Sequence, residues 1–120
     1  MIRPYSFDKS RRLLRNSQFQ YTYRRGKSCA DARMVLVAAS SRGRTRIGFS
    51  VGKKVGNSVV RSRVKRLMRE SCRLLYPSLQ NGYNIVFIAR SAMKDATFAE
   101  TNATMTALLK KGGYFREEPT

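Results

Sequence analysis

Ser50-Val-Gly-Lys-Lys-Val-Gly-Asn-Ser-Val-Val-Arg-Ser-Arg-Val-Lys-Arg-Leu-Met-Arg-Glu70 leaves an alternating strand pattern and runs into a strongly two-sided helix. Asn57 can cap that helix and Pro77 stops it, so a helix is expected from about Ser58 to Tyr76. At about 100° per residue, Val60, Val64, Leu67, Met68, Ser71 and Leu75 share one side. Arg61, Ser62, Lys65, Arg66, Arg69 and Arg73 share the other. Five of those six positions are cationic and four are Arg, whose fork suits phosphate oxygens better than the point charge of Lys. An ordinary solvated helix would intersperse acids and gain from i,i+4 pairs. Here only Arg66 with Glu70 offers one, while Arg61, Lys65 and Arg69 repel one another along a single stripe. The pattern points to a polyanion that offsets the repulsion. Lys53 and Lys54 lead into the helix start, where free backbone N–H groups and the positive dipole end favour an anion.

Working outward, Thr45 to Val51 alternates, with Ile47, Phe49 and Val51 on one face. Met34 to Ala39 is a continuous apolar run of strand length, and Ser40 to Gly43 reads as a turn, so an antiparallel hairpin is expected from these two segments. Tyr83 to Ala89 is a third clear strand, introduced by Asn81-Gly82; residues 28 to 32 allow a brief further one. A short helix should begin at an Asn16-Ser17 cap, carry Phe19 and Tyr23 on one face, and close at Gly26. A last helix should begin at a Thr97/Glu100 capping box, turn Phe98, Met105, Leu108 and Leu109 inward, and end at Gly112-Gly113. Residues 1 to 15 are expected to be a basic, mobile arm on a single domain spanning 1–120. The fold class is α+β, one sheet with about three helices.

Composition narrows the function. Twenty-five Lys and Arg against seven Asp and Glu give a formal charge of +18, which calls for nucleic acid or an anionic membrane as partner. No apolar run approaches the roughly 20 residues of a membrane helix, and the start has no apolar signal region, so a cytoplasmic protein is expected. There is no His, which removes the commonest general base and zinc ligand. The seven acids are scattered, and Cys29 and Cys72 stand in no metal-ligand spacing and read as buried fillers. Catalytic groups are therefore not expected from this chain.

The stretch from Ser50 to Glu70 closely resembles the signature of the bacterial ribonuclease P protein family: Lys-Lys, then Gly-Asn, then an Arg-Asn-Arg centre, a hydrophobic residue, Lys-Arg and a hydrophobic pair. The resemblance extends to Phe19-Gln20 with Tyr23, to Arg24-Arg25-Gly26, to Tyr83–Arg90 and to the last helix. It departs at Ser62, where the family has Asn; serine reaches less far, which puts direct assistance to a metal near position 62 in doubt.

The resemblance implies a four-stranded sheet with three helices, ribosomal protein S5 domain 2-like, with a left-handed β-α-β crossover around the arginine-rich helix. It implies a subunit that binds the catalytic RNA and the 5′ leader of precursor tRNA, while that RNA and Mg²⁺ free the mature tRNA 5′ end. The residues expected at RNA are Lys53, Lys54, Asn57, Arg61, Ser62, Arg63, Lys65, Arg66, Arg69 and Arg73. Taken alone, Phe19 and Tyr23 suit a core better than a ligand. By resemblance they line the leader cleft, with Val35 and Val37 as floor and Lys65 and Arg69 as basic edge. Other readings are a ribosomal or structural RNA-binding protein, and a protein-only nuclease, which would need a carboxylate cluster.

Overall fold

The structure, a computed structural model, describes residues 9–116. Four strands, β1 (Lys27–Ala30), β2 (Met34–Ser40), β3 (Arg46–Val51) and β4 (Tyr83–Ala89), form one mixed sheet in the order β1-β2-β4-β3. Three helices, α1 (Asn16–Arg25), α2 (Ser58–Leu75) and α3 (Phe98–Gly112), complete it. The α+β class with four strands and three helices is what the sequence led us to expect.

The expected β2–β3 hairpin does not form. β4 inserts between the two strands, antiparallel to β2 (Leu36 opposite Phe87) and parallel to β3 (Phe49 opposite Phe87). The physical reason lies in the strands' faces. Asn84 to Phe87 are all buried, which suits an interior strand, whereas β3 has Arg46 exposed and Phe49 and Ser50 only half-buried and leaves one edge open. Residues 41–45 span β4 rather than turning tightly: Ser41 N–H donates to Gly82 O (2.8 Å) and Gly82 N–H donates to Gly43 O (2.9 Å). Parallel neighbours require a crossover, and α2 supplies it.

Alternation then sorts the two sheet faces. Met34, Leu36, Ile47, Ile85 and Phe87 meet Val64, Met68 and Cys72 of α2 and Met105, Leu108 and Leu109 of α3 in the main core. On the other face, Val37, Val86 and Gly48 form a row across three strands, and α1 lies over it. The next row, Val35, Ile88 and Ser50, is half-buried and open.

Local chemistry sets the helix ends. α2 is capped by Asn57 Oδ1, which accepts from Val60 N–H at 3.0 Å. Thr97 and Glu100 make the reciprocal capping box at α3, and Gly113 ends that helix at φ +80°. Glu100 also pairs with Arg33 at 2.6 Å. These bonds to Thr97, then Arg33, hold its carboxyl below the usual range. At α1 the expected cap is replaced: Gln18 Oε1, not Asn16 or Ser17, accepts from the Leu14 and Arg15 N–H groups at 2.9 and 3.0 Å.

The expected arm is also corrected in part. Residues 1–8 lie outside the described residues, but Leu13 is buried and its N–H donates to Ile47 O at 2.9 Å. Residues 9–13 thus run along the open edge of β3. At the other end Tyr114 is buried with its ring edge-on to Tyr83, centroids 4.9 Å apart. Of the cysteines, Cys72 is buried and Cys29 only half-buried. Burial pushes both thiols up, so neither is an activated nucleophile.

Gly26 shows how tightly α1 sits. Its φ of −82° suits any residue, yet an added Cβ would lie 2.4 Å from Thr22 O and 2.7 Å from a Val37 methyl. Gly26→Ala should therefore cost about 1–3 kcal/mol of stability, the usual range for overpacking. Urea unfolding checks this, and an unchanged midpoint would contradict the close approach.

Candidate RNA interface

The cationic side of α2 divides in the folded protein. Lys53 and Lys54 are exposed in the turn before the helix, and Ser62 and Arg66 are exposed along it. Arg61, Lys65 and Arg69, spaced i, i+4, i+8, are half-buried in one row. Two expected RNA contacts are engaged within the protein. Arg63 donates to Lys94 O (3.1 Å) and Ala96 O (2.8 Å), tying α2 to the segment before α3. Arg73 pairs with Glu70 at 2.7 Å, so the acid takes its i+3 neighbour rather than Arg66. That bond raises the Arg73 pKa. Asn57 is occupied as the cap.

The row of half-buried cations faces α1 across β3. Lys65 and Arg69 line a cavity of about 200 Å³ together with Phe19, Gly48, Leu13 and Arg12. Phe19 lies on Gly48, where an added Cβ would meet its ring at 2.5 Å. A side chain on β3 there would displace the ring. Tyr23 is 39 % exposed, its ring tilted at 52° and 6.4 Å from Phe19. Neither ring belongs to the main core. Val35 is half-exposed as an open floor requires, whereas Val37 is covered by the end of α1.

The electrostatics are one-sided. The Nε atoms of Arg12, Arg61 and Arg69 are shut off from solvent with no hydrogen-bond partner among the described residues. Burial, then the nearby Arg12 charge, lowers the Arg69 guanidinium from its ordinary value. The ion pairs among the described residues, Arg33–Glu100 and Arg73–Glu70, lie outside this groove. Such a groove can hold phosphate oxygens on its Arg and Lys groups and a base against its aromatic rings.

Comparison with known proteins gives the family. The family model described as Ribonuclease P matches residues 7–113. The ribonuclease P protein component of Clostridium novyi is 44% identical over 110 residues, covering 89% of this chain and 97% of that protein. That of Clostridium botulinum strain Alaska E43 is 45% identical over 115 residues, covering 89% and 92%. The chain belongs to the ribonuclease P protein family. Among solved structures, the Staphylococcus aureus RNase P protein superposes with a TM-score of 0.82 at 31% identity, covering 90% of this chain and 100% of that one. The Thermotoga maritima protein, solved with 1-(4-fluorophenyl)-2-thiourea, gives 0.77 at 26% identity, covering 83% and 98%.

This chain is thus the protein subunit of a ribonuclease P, an endoribonuclease of tRNA processing, and its RNA partner is the RNase P RNA. A ribosomal role is not favoured. No helix among the described residues is long and apolar enough to cross a membrane. Three positions in or beside the groove escaped the sequence reading. Arg12 falls within the expected arm, and only its pairing with β3 brings it in. Ser50 and Ile88 join Val35 because β3 runs parallel to β4, a pairing that no local pattern announces.

The division among the arginines is testable without RNA. Arg63→Ala should lose about 1–3 kcal/mol of stability, as charged hydrogen bonds do. Lys65→Ala should stay within about 0.5 kcal/mol. Equal denaturation midpoints for the two variants would show that Arg63 does not tie α2 to the following segment.

Proposed function

We propose that the cationic flank of α2 and its lead-in hold the RNA subunit, while the groove between α1, β3 and α2 holds the single-stranded 5′ leader of precursor tRNA. The observation that carries this reading is the cavity where Phe19 meets Lys65, Arg69 and Arg12 without a carboxylate among the described residues. Lys53, Lys54, Arg61, Ser62 and Arg66 face solvent or the groove and are the freest to reach phosphates. Arg63, Asn57 and Arg73 contribute chiefly by shaping the helix. Aromatic faces accept any base, which suits a leader of variable sequence. With an aliphatic Val37 already under α1, stacking falls to Phe19 and Tyr23.

The reaction we propose is hydrolysis of one phosphodiester to free the mature 5′ end. The RNA subunit and Mg²⁺ perform the chemistry. Among the described residues no three of His, Cys, Asp and Glu come together, so those residues by themselves offer no cage for the ion. The ion's ligands would come mainly from RNA. The expected compartment is the cytoplasm, where the RNA and its tRNA substrates meet.

Three measurements test this. The log affinity for the RNA subunit should fall with log salt by roughly 0.7–0.9 per phosphate contacted. Lys65→Ala and Arg61→Ala should each flatten that slope; parental slopes in both would remove α2 from the interface. Tyr23→Ala should weaken holoenzyme binding of precursor tRNA by about 1–3 kcal/mol while barely affecting mature tRNA, which has no leader. Equal losses for both tRNAs with a large drop in melting temperature would return the ring to a packing role. Purified protein free of RNA should leave precursor tRNA intact with Mg²⁺ present, and cleavage by it would overturn the division of labour.

A further inference from the structure

We propose that Arg11, Arg44 and Arg116 form a second site for an RNA backbone phosphate, at the C-terminal end of α2 and outside the leader groove. The proposal rests on the RNA-binding reading above. The three arginines line a cavity of about 340 Å³ together with Thr45, Tyr76 and Asn81. They come from separate parts of the chain: the segment along β3, the β2–β3 loop, and the residues after α3.

The pocket's walls are held in place. The Tyr76 hydroxyl donates to Thr45 O, and the Arg11 guanidinium carbon lies 4.9 Å from the centre of the Tyr76 ring. Arg116 Nε donates to Leu79 O at 2.9 Å, which fixes its planar fork against the pocket. Arg44 reaches across to Ser10 Oγ at 3.3 Å. All three charges are felt at one point: each opposes the rise that burial imposes on the Tyr76 hydroxyl.

Three guanidinium groups lining one pocket repel one another, and neither ion pair among the described residues touches them. Arg11 Nε is shut off from solvent and makes no hydrogen bond among the described residues. A phosphate supplies what the set lacks, because its oxygens accept from several forks at once. RNA is the natural bearer. Arg11 lines this pocket while its neighbour Arg12 lines the groove beside Phe19, so the two sites are contiguous along β3. A strand lying in one can pass a phosphate to the other.

Arg44 is the cleanest position to change, being exposed and, among the described residues, hydrogen-bonded through Ser10. Salt-dependent binding should be measured for Arg44→Gln, Arg116→Gln and Lys65→Ala in two arms: the RNA subunit alone, and precursor tRNA on assembled holoenzyme. Each pocket variant should reduce the slope of log affinity against log salt by about 0.7–0.9 in one arm, and that arm names the phosphate's source. Arg44→Lys, which keeps charge but loses the fork, should restore only part of the affinity. Thermal melts identify any variant that fails to fold, and Arg44→Lys then carries the comparison. Parental slopes for Arg44→Gln and Arg116→Gln in both arms overturn the proposal. A pocket filled by the chain's own acids, Glu117 and Glu118 being next in sequence, gives that same result. If Lys65→Ala flattens its slope in that experiment, the α2 reading survives without the pocket. If only the pocket variants flatten theirs, the pocket stands and the α2 reading falls.

Discussion

Parallel pairing of β3 with β4 is the constraint on which the remaining architecture depends. Adjacent parallel strands cannot be joined by a tight turn, so the chain must leave the sheet, cross it and return. The crossing segment is α2, and its apolar side, Val64, Met68 and Cys72, is thereby committed to one sheet face with α3. The other face is left to a single short helix, which covers one row of residues and leaves the next one open. The same pairing puts β3 at the sheet's edge, where residues 12 and 13 bind alongside it and bring a further arginine to the groove. The basic side of α2 thus comes to look across an edge strand at the aromatic ring of Phe19.

Much of this was legible in the sequence because it depends on local rules. The caps at Asn57 and Thr97, the stop at Pro77 and the strand alternation from Ile47 to Val51 each follow from a few neighbouring residues. The two-sided character of α2 was equally plain, since Val64 and Met68 at i and i+4 must share a face. What failed was strand order. Met34–Ala39 and Thr45–Val51 adjoin in sequence, and nothing within either says that a strand more than thirty residues later will separate them. The information lies in a comparison, the stronger burial of Asn84 to Phe87, rather than in any local signal.

The candidate site was legible to a similar degree and for the same reason. Arg61, Lys65 and Arg69 could be placed on one stripe by helical spacing, and they do lie in one row. Arg63 shares that composition yet spends its guanidinium on the Lys94 and Ala96 carbonyls, which helical spacing cannot foretell. Glu70 likewise chose Arg73 over Arg66, because three-residue and four-residue neighbours are nearly equidistant on a helix. Composition identifies a basic surface, but only tertiary structure says which cations are already spoken for.

The surviving cations have a property that follows from their chemistry. Arginine stays protonated throughout the physiological range, even where burial and a like charge lower it as at Arg69. The chain has no His, the one side chain whose ordinary pKa lies between about 5 and 8. The charge of the groove is therefore nearly constant with pH, and ionic strength becomes the variable that controls it. A subunit that must hold a polyanion in register, rather than move protons, gains from such insensitivity. Repulsion between Arg12 and Arg69 is the cost in the free protein, and phosphate neutralisation would remove it in the complex proposed above. The residues least comfortable in isolation are in this way the ones that would favour that complex most.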